Sequence, residues 1–267
     1  MFNKLMLLIL GPIFYLCAGC ATNPITGEEE LMLFSKEQDI EIGRKYAPEV
    51  EKQFGGRIAN EGLQNYIDSV GQRIVRISHR PDWQYHFVAV EDKSLNAAAL
   101  PGGYIFITRG MLEKLDTEAQ LAGILAHETV HVVARDTLNM MSNQIGISLL
   151  LSAVTSAETS QGVLTAADLA RMIIGLQYSR KDEREADIGG LDYMVAAGYN
   201  PYGMVETMQI LQNQHNVRPI EFLSSHPSPE NRLAYLKQRA QTHYSNLEGL
   251  KIGKEYYHSN VLQRLSD

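Results

Sequence analysis

The sequence predicts an α+β fold, mostly helical, with a small β-sheet beside one buried helix. Three observations predict it. Apolar residues recur at helical spacing along much of the chain, as in Leu63, Ile67, Val70, Ile74 and Ile77. Only residues 85–90 and 104–108 have the β-branched and aromatic content of strands. Between 121 and 133, Leu121, Ile124, Leu125, Ala126, Val130, Val132 and Val133 make a helix apolar nearly all round, which must be buried.

The elements follow in chain order. Lys4 precedes an apolar run over 5–16 that ends in Cys17-Ala18-Gly19-Cys20. A basic start, a short apolar core and small residues before a cut site describe an export signal over residues 1–19. The run is too short for a comfortable membrane span. The small residues before Cys20 resemble a bacterial lipobox, with Cys17 where Leu is usual, and this implies cleavage and lipidation at Cys20. An ordinary secretory signal and an uncleaved anchor are the alternatives. Ala21 resembles outer-membrane rather than inner-membrane sorting. Residues 20–34 read as a lipidated spacer and 35–267 as one domain. Removing Cys17 leaves a single Cys, so no internal disulfide can form.

Ser35 with Gln38 three residues later reads as the capped start of a helix reaching about Phe54. The amphipathic helix of Leu63 to Ile77 ends before Pro81. The loop between the two strands carries Asn96, Ala97-Ala98-Ala99 and Pro101-Gly102-Gly103. The buried helix opens near Thr117. Residues 137–176 read as a helical excursion over the site, since the apolar run 145–154 is too short to span a bilayer. Helices then carry Glu183, run from Tyr199-Asn200-Pro201 to Gln212, and run from Pro229 to Arg239. No internal repeat is present, and Tyr256 and Tyr257 suggest no role. With 45% hydrophobic and 21% charged residues the composition is ordinary for a globular protein, and a net charge of −7 argues against nucleic acid as a partner.

The chemistry concentrates in His127-Glu128-Thr129-Val130-His131. Residues four apart on a helix lie about 40° apart around the axis, so both imidazoles share a face and can bind one metal ion. Glu128 lies roughly 60° from His131, within reach of a water on that metal. A buried helix carrying two His and a Glu needs partners for them, and a metal supplies one. Catalytic zinc takes three protein ligands and keeps a fourth position open. The third candidate is Glu183. Asp187, one turn on, is placed to accept a hydrogen bond from the far nitrogen of a ligating His. Glu185 lies about 200° from Glu183 and points elsewhere. The alternative is a solvated charged helix with pairs such as Lys181–Glu185.

These pieces resemble the gluzincin family of metallopeptidases that includes the CAAX prenyl protease, the membrane heat-shock protease HtpX and the periplasmic protease BepA. The matching residues are Asn23-Pro24-Ile25-Thr26-Gly27, Asn96-Ala97, Pro101-Gly102-Gly103-Tyr104-Ile105, His127 to His131, Ser179-Arg180 to Glu183 with Ala186-Asp187, and Ser225-His226-Pro227 with Arg232. Many relatives carry His after the Arg that follows the His-Glu-x-x-His stretch, where this chain has Arg135-Asp136, a position read as lying outside the metal shell. The resemblance implies a zincin-type fold and Glu183 as third ligand of one zinc ion per chain. It implies that an edge strand near Asn96 pairs with extended substrate, although Asn96 alone reads equally as a turn residue. It implies that His226 either stabilises an oxyanion or caps the zinc at rest, and that Arg232 holds a substrate carboxyl or carbonyl.

The expected function is zinc-dependent cleavage of cell-envelope proteins, in envelope quality control, with Glu128 as general base. The expected location is the periplasmic side of the envelope, on the outer membrane through the Cys20 lipid, and the expected partners are protein or peptide substrates, the membrane surface and outer-membrane assembly machinery. The chief alternative is a zinc-stabilised assembly chaperone with little proteolysis; an intact Glu128 weighs against it. Hydrolysis of peptidoglycan peptide is a further alternative, weakened by the lack of a recognisable wall-binding repeat.

Overall fold

The computed structural model describes residues 19–155, 165–217, 219–244 and 246–266. The export-signal reading of residues 1–19 therefore falls almost wholly outside the described residues. A short hairpin, β1 (Cys20–Thr22) with β2 (Glu29–Leu31), comes first, where a spacer was expected. Helix α1 (Lys36–Gln53) starts in the capping box expected from Ser35 and Gln38. Helix α2 (Glu61–Val75) is capped by Asn60 and buries Leu63, Ile67, Val70 and Ile74. It stops short of Ile77, which is left 38% exposed.

Three strands form the main sheet in the order β3 (His86–Val90), β5 (Tyr104–Thr108), β4 (Ala97–Leu100). Strand β3 runs parallel to β5, whereas β4 is antiparallel to it and lies at the edge. The residue-level reading gave Ala97–Ala99 to a loop because alanine has little strand preference; pairing with Ile105–Ile107 overrides that preference. The turn Pro101–Gly103 that joins β4 to β5 has Gly102 at φ 73° and Gly103 at φ 86°, a region open to glycine without strain.

Both faces of the sheet are covered. Phe87, Ala89, Ile105 and Ile107 share the larger core with α2 and with helix α4 (Glu118–Ala134). Val88, Val90, Leu100 and Phe106 share a smaller core with Ala47 and Val50 of α1, with Phe54 just after it, and with Ala170 and Ile173 of a later helix, α6 (Ala166–Ile174). The single turn α3 (Arg109–Leu112) links the sheet to α4, which Thr117 caps and in which every residue is buried.

After α4 come α5 (Asp136–Thr155), α6 (Ala166–Ile174), α7 (Arg180–Ala196), α8 (Tyr202–His215), the short α9 (Glu221–Ser225) and α10 (Arg232–Thr242). Helices α7 and α8 lie close along α4. A Cβ on Gly190 would stand 3.1 Å from the His127 nitrogen, and one on Gly203 2.4 Å from the Ala119 carbonyl carbon. The chain ends in α11 (Lys254–Tyr257), a π-helical turn and α12 (Gln263–Ser266). Tyr257, which suggested no role in the sequence, is fully buried and donates to the Leu112 carbonyl at 2.7 Å. The architecture is α+β, mostly helical, with the three-stranded sheet beside the His-Glu-x-x-His helix. No helix among the described residues is long and apolar enough to cross a membrane.

Candidate metal centre

Helical spacing on α4 turns His127 and His131 to one side, where their Nε2 atoms face each other at 3.2 Å. Glu183, in the first turn of α7, brings Oε2 to 3.5 Å from His127 Nε2 and Oε1 to 3.5 Å from His131 Nε2. A fourth group comes from the turn after α9. There the ring of His226 stacks on Phe222 with centroids 4.4 Å apart, and its Nδ1 lies 2.8 Å from Glu183 Oε1 and 3.3 Å from His127 Nε2. One ligand atom from each of the four residues lies within 4.8 Å of the others, and all four residues are buried.

The donor set fits a metal ion. Zinc–nitrogen and zinc–oxygen bonds of about 2.0–2.1 Å in a tetrahedron separate the ligand atoms by about 3.3 Å. The contacts quoted above run from 2.8 to 3.5 Å. Glu183 Oε2 and both oxygens of Glu128 have no hydrogen-bond partner although buried. Three ring nitrogens and a carboxylate aimed at one point are satisfied together by a central cation, and only in part by one another.

A second layer of carboxylates holds the rings. Asp187 Oδ1 is 3.1 Å from His127 Nδ1. Asp187 is itself gripped by Arg232, whose Nε donates at 2.8 Å and Nη2 at 2.6 Å, and by the hydroxyl of Tyr235. Arg232 Nη2 also reaches Glu183 Oε2 at 3.3 Å. His131 Nδ1 is 2.6 Å from Asp136 Oδ2, and the same ring is stacked flat on Tyr178 at 3.9 Å. Such partners fix tautomer and ring plane, leaving Nε2 free to ligate. Burial works against the charge of Glu183, but His226 and His127 outweigh it and hold the carboxyl well below its ordinary range. Burial likewise opposes charge on His127, and Glu183 outweighs it and raises that ring. A bound cation takes over the balancing role of those protons.

The expected residues divide clearly. Glu128 is fully buried, with Oε1 3.6 Å from His226 Nε2. Glu185 lies outside the cluster, 3.5 Å from Lys181 Nζ and 3.5 Å from Asn23 Nδ2. Asn96 stands just before β4, buried, with Oδ1 lacking a partner. It lines a cleft with β4, Ile173, Ile174, Tyr178 and His226 whose volume is only ≈ 10 Å³. Helix α6 therefore lies over the edge strand, as expected for residues 137–176, although 156–164 fall outside the described residues.

Two partners went unseen in the sequence. Asp136 was read as lying outside the metal shell, and it is not one of the four clustered residues, but its bond to His131 Nδ1 was not foreseen. The bond forms because Arg135, at φ 64°, ends α4 in a left-handed turn that folds the next residue back. A non-glycine in that conformation leaves no compositional trace. Tyr178 adjoins the Ser179-Arg180 stretch, but nothing in its spacing announces a stack on a residue 47 positions away.

Residues 61–240 match the family model described as Peptidase family M48. The chain belongs to this family. The match takes in His127, Glu128, His131, Glu183, His226 and Arg232. Among M48 relatives, the beta-barrel assembly-enhancing protease of Escherichia coli (strain K12) is 28% identical over 230 residues, which is 82% of this chain and 47% of that protein. The mitochondrial metalloendopeptidase OMA1 of Schizosaccharomyces pombe is 28% identical over 220 residues, covering 80% of this chain and 65% of its own length. OMA1 of Saccharomyces cerevisiae is 26% identical over 258 residues, covering 87% and 73%. The chain thus spans about half the length of the bacterial relative. The resemblance drawn from scattered residues to a gluzincin family is borne out, and the match encloses a buried His/Glu cluster that could hold a metal ion.

Proposed function

We propose that this chain is a zinc-dependent endopeptidase of cell-envelope proteins, tethered through lipid on Cys20 to the periplasmic side of the outer membrane and acting in envelope protein quality control. The observation that carries the catalytic part is Glu128: a fully buried carboxylate beside the ligand cluster, both oxygens without a partner. A structural metal site has no use for such a group, and burying it unpaired is costly.

His127, His131 and Glu183 would hold zinc. When bound, zinc supplies Lewis-acid polarisation of the scissile carbonyl and acidifies water at the site. Glu128 takes the proton of the attacking water and hands it to the leaving amine. Asp187 and Asp136 keep the two rings in the ligating tautomer. Edge strand β4 offers backbone groups to an extended peptide, with Asn96 at its start, once the segment over it moves aside. Arg232 is committed to Asp187 and Glu183, so its part is to hold those carboxylates; its remaining Nη1, which lacks a partner, is the group left for a substrate carbonyl or carboxyl. That the bacterial relatives are beta-barrel assembly-enhancing proteases supports the envelope reading by analogy.

One observation favours a second reading. With His226 Nδ1 among them, four protein groups surround the centre, the closed arrangement of structural zinc. A zinc-stabilised assembly factor with little proteolysis would look like this. A resting peptidase in which His226 fills the position owed to water would look the same. Zinc content and casein cleavage of Glu128→Gln decide between them. A peptidase loses cleavage and keeps zinc; cleavage that persists in the purified variant would sink the catalytic assignment.

A further inference from the structure

We propose that the open end of the β1–β2 hairpin, with Leu31, Leu33 and Ile145, is the face that lies on a lipid bilayer. The inference rests on the membrane tether proposed above and goes beyond it, to the surface that meets the lipid.

The hairpin is no loose spacer. Its turn is fastened to α7, the helix that carries Glu183: Ile25 reaches Gly189, Lys181 Nζ pairs with Glu28 Oε2 at 2.5 Å, and Asn23 Nδ2 is 3.5 Å from Glu185 Oε2. Its open end is fastened to α5, where Leu33 N donates to Ser142 Oγ at 3.0 Å and Asn139 Nδ2 to the Leu31 carbonyl at 3.1 Å. Met32 N donates to the Gly19 carbonyl at 2.6 Å, and Cys20 is paired in register with Leu31. Gly19 and Cys20 are therefore held at a fixed point of the fold.

Exposed apolar side chains lie close to that point. Leu33 is 42% exposed and Ile145 41%, two of the eight large hydrophobic residues exposed among the described residues. A Cβ built on Gly19 would lie 3.4 Å from Leu33 and 3.6 Å from Leu31. Ile145 stands about one helical turn beyond Ser142, whose hydroxyl holds Leu33.

The occupant follows from the chain outside the structure and where it joins. Residues 5–16 are an apolar run that precedes this corner in the sequence. Retained, the run is membrane-seeking; cut away and replaced by acyl chains on Cys20, the lipid is attached at the same corner. Either way the apolar face sits next to a group already in the bilayer. An apolar contact beside the anchor buries further apolar area and strengthens attachment. Because the hairpin turn is bonded to α7, the contact also fixes the height and tilt of the metal centre above the lipid.

The test uses full-length protein purified from membranes and reconstituted in vesicles of phosphatidylethanolamine and phosphatidylglycerol. Leu33→Cys and Ile145→Cys carry an environment-sensitive fluorophore, with Val217→Cys and Ile252→Cys as exposed controls on other elements, and the unsubstituted protein as the labelling blank. A lipid-borne quencher should quench positions 33 and 145 several-fold more than 217 and 252. Equal quenching at all four overturns the proposal. So does an emission shift at 33 and 145 that follows protein concentration in detergent rather than lipid, which assigns the face to a second copy. Hydrogen exchange on the unsubstituted protein guards against misfolded variants: slowing over 29–34 and 139–145 on adding vesicles supports the proposal, and no slowing there overturns it. Failure of the protein to float with vesicles at all is a separate result, which removes the tether itself.

Discussion

Asp136 and Asp187 perform one task on two rings by different routes. Asp187 shares a helix with Glu183, one turn on, and its alignment with His127 follows from spacing alone. Asp136 reaches His131 only through the left-handed Arg135, so its role surfaces only in three dimensions. Asp136→Ala should lower zinc affinity roughly 10- to 100-fold, the usual loss when a ring-orienting partner of a metal ligand is removed; competition with a fluorescent chelator measures it, and an unchanged affinity would show that the Tyr178 stack suffices. The choice between neighbouring glutamates is sharper. Glu183→Ala should abolish stoichiometric zinc by elemental analysis, while Glu185→Ala should keep it, since Glu185 faces Lys181 and Asn23. The same residue-level spacing that separates 183 from 185 left His226 undecided, because a histidine in a loop carries no periodicity to place it.

Among the elements, Asp39 of α1 makes a junction invisible in its own helix. It accepts from Gly102 N at 2.7 Å and from Arg135 Nε at 2.7 Å, and Arg135 donates onward to the Phe34 and Ser35 carbonyls at 2.9 Å. The start of α1, the turn out of the edge strand and the end of α4 are thereby joined, with Asp39 and Arg135 themselves buried. A Cβ on Gly43 would stand 2.1 Å from the Pro101 carbonyl oxygen, so α1 is pressed directly against that turn. Asp39→Ala should cost about 3–5 kcal/mol, because it strands the Arg135 charge in the interior; urea unfolding at fixed zinc reads the loss. A cost below 1 kcal/mol would mean that water reaches the guanidinium. Helix starts were legible at Ser35 and Thr117, where a side chain caps them, but not at Asn60 or Thr165, which cap their helices in the same way. Strand β4 was legible only through the family resemblance and not in its own alanines, since its existence depends on a partner strand.

At the scale of the molecule, the α+β class was readable because the buried helix and the two apolar strands announce themselves by composition. The hairpin over 20–31 was not: its strands are three residues each, and what holds it is contact with α5 and α7. Binding of zinc to the native state alone adds about 2.7 kcal/mol at a hundred-fold excess over Kd. For a domain of this size that corresponds to a fall of roughly 5–10 °C in Tm on chelation. Calorimetry with and without a chelator checks it, and an unchanged Tm would mean that no native-state metal is being removed.

The ligand atoms come from chain positions far apart. His226 lies 99 residues beyond His127 and 43 beyond Glu183. A metal joining them is a removable cross-link that closes long loops, and closure of such loops restricts the unfolded chain in the manner of a disulfide. Unlike a disulfide, it is undone by chelation rather than by reductant, in a chain whose single cysteine beyond Cys17 is spoken for at the membrane in the function proposed above. Stripping the metal should therefore loosen the molecule unevenly: amide exchange should quicken over 180–240, which the cross-link ties back to α4, well before it quickens over 61–75, which α4 and the sheet hold by packing alone.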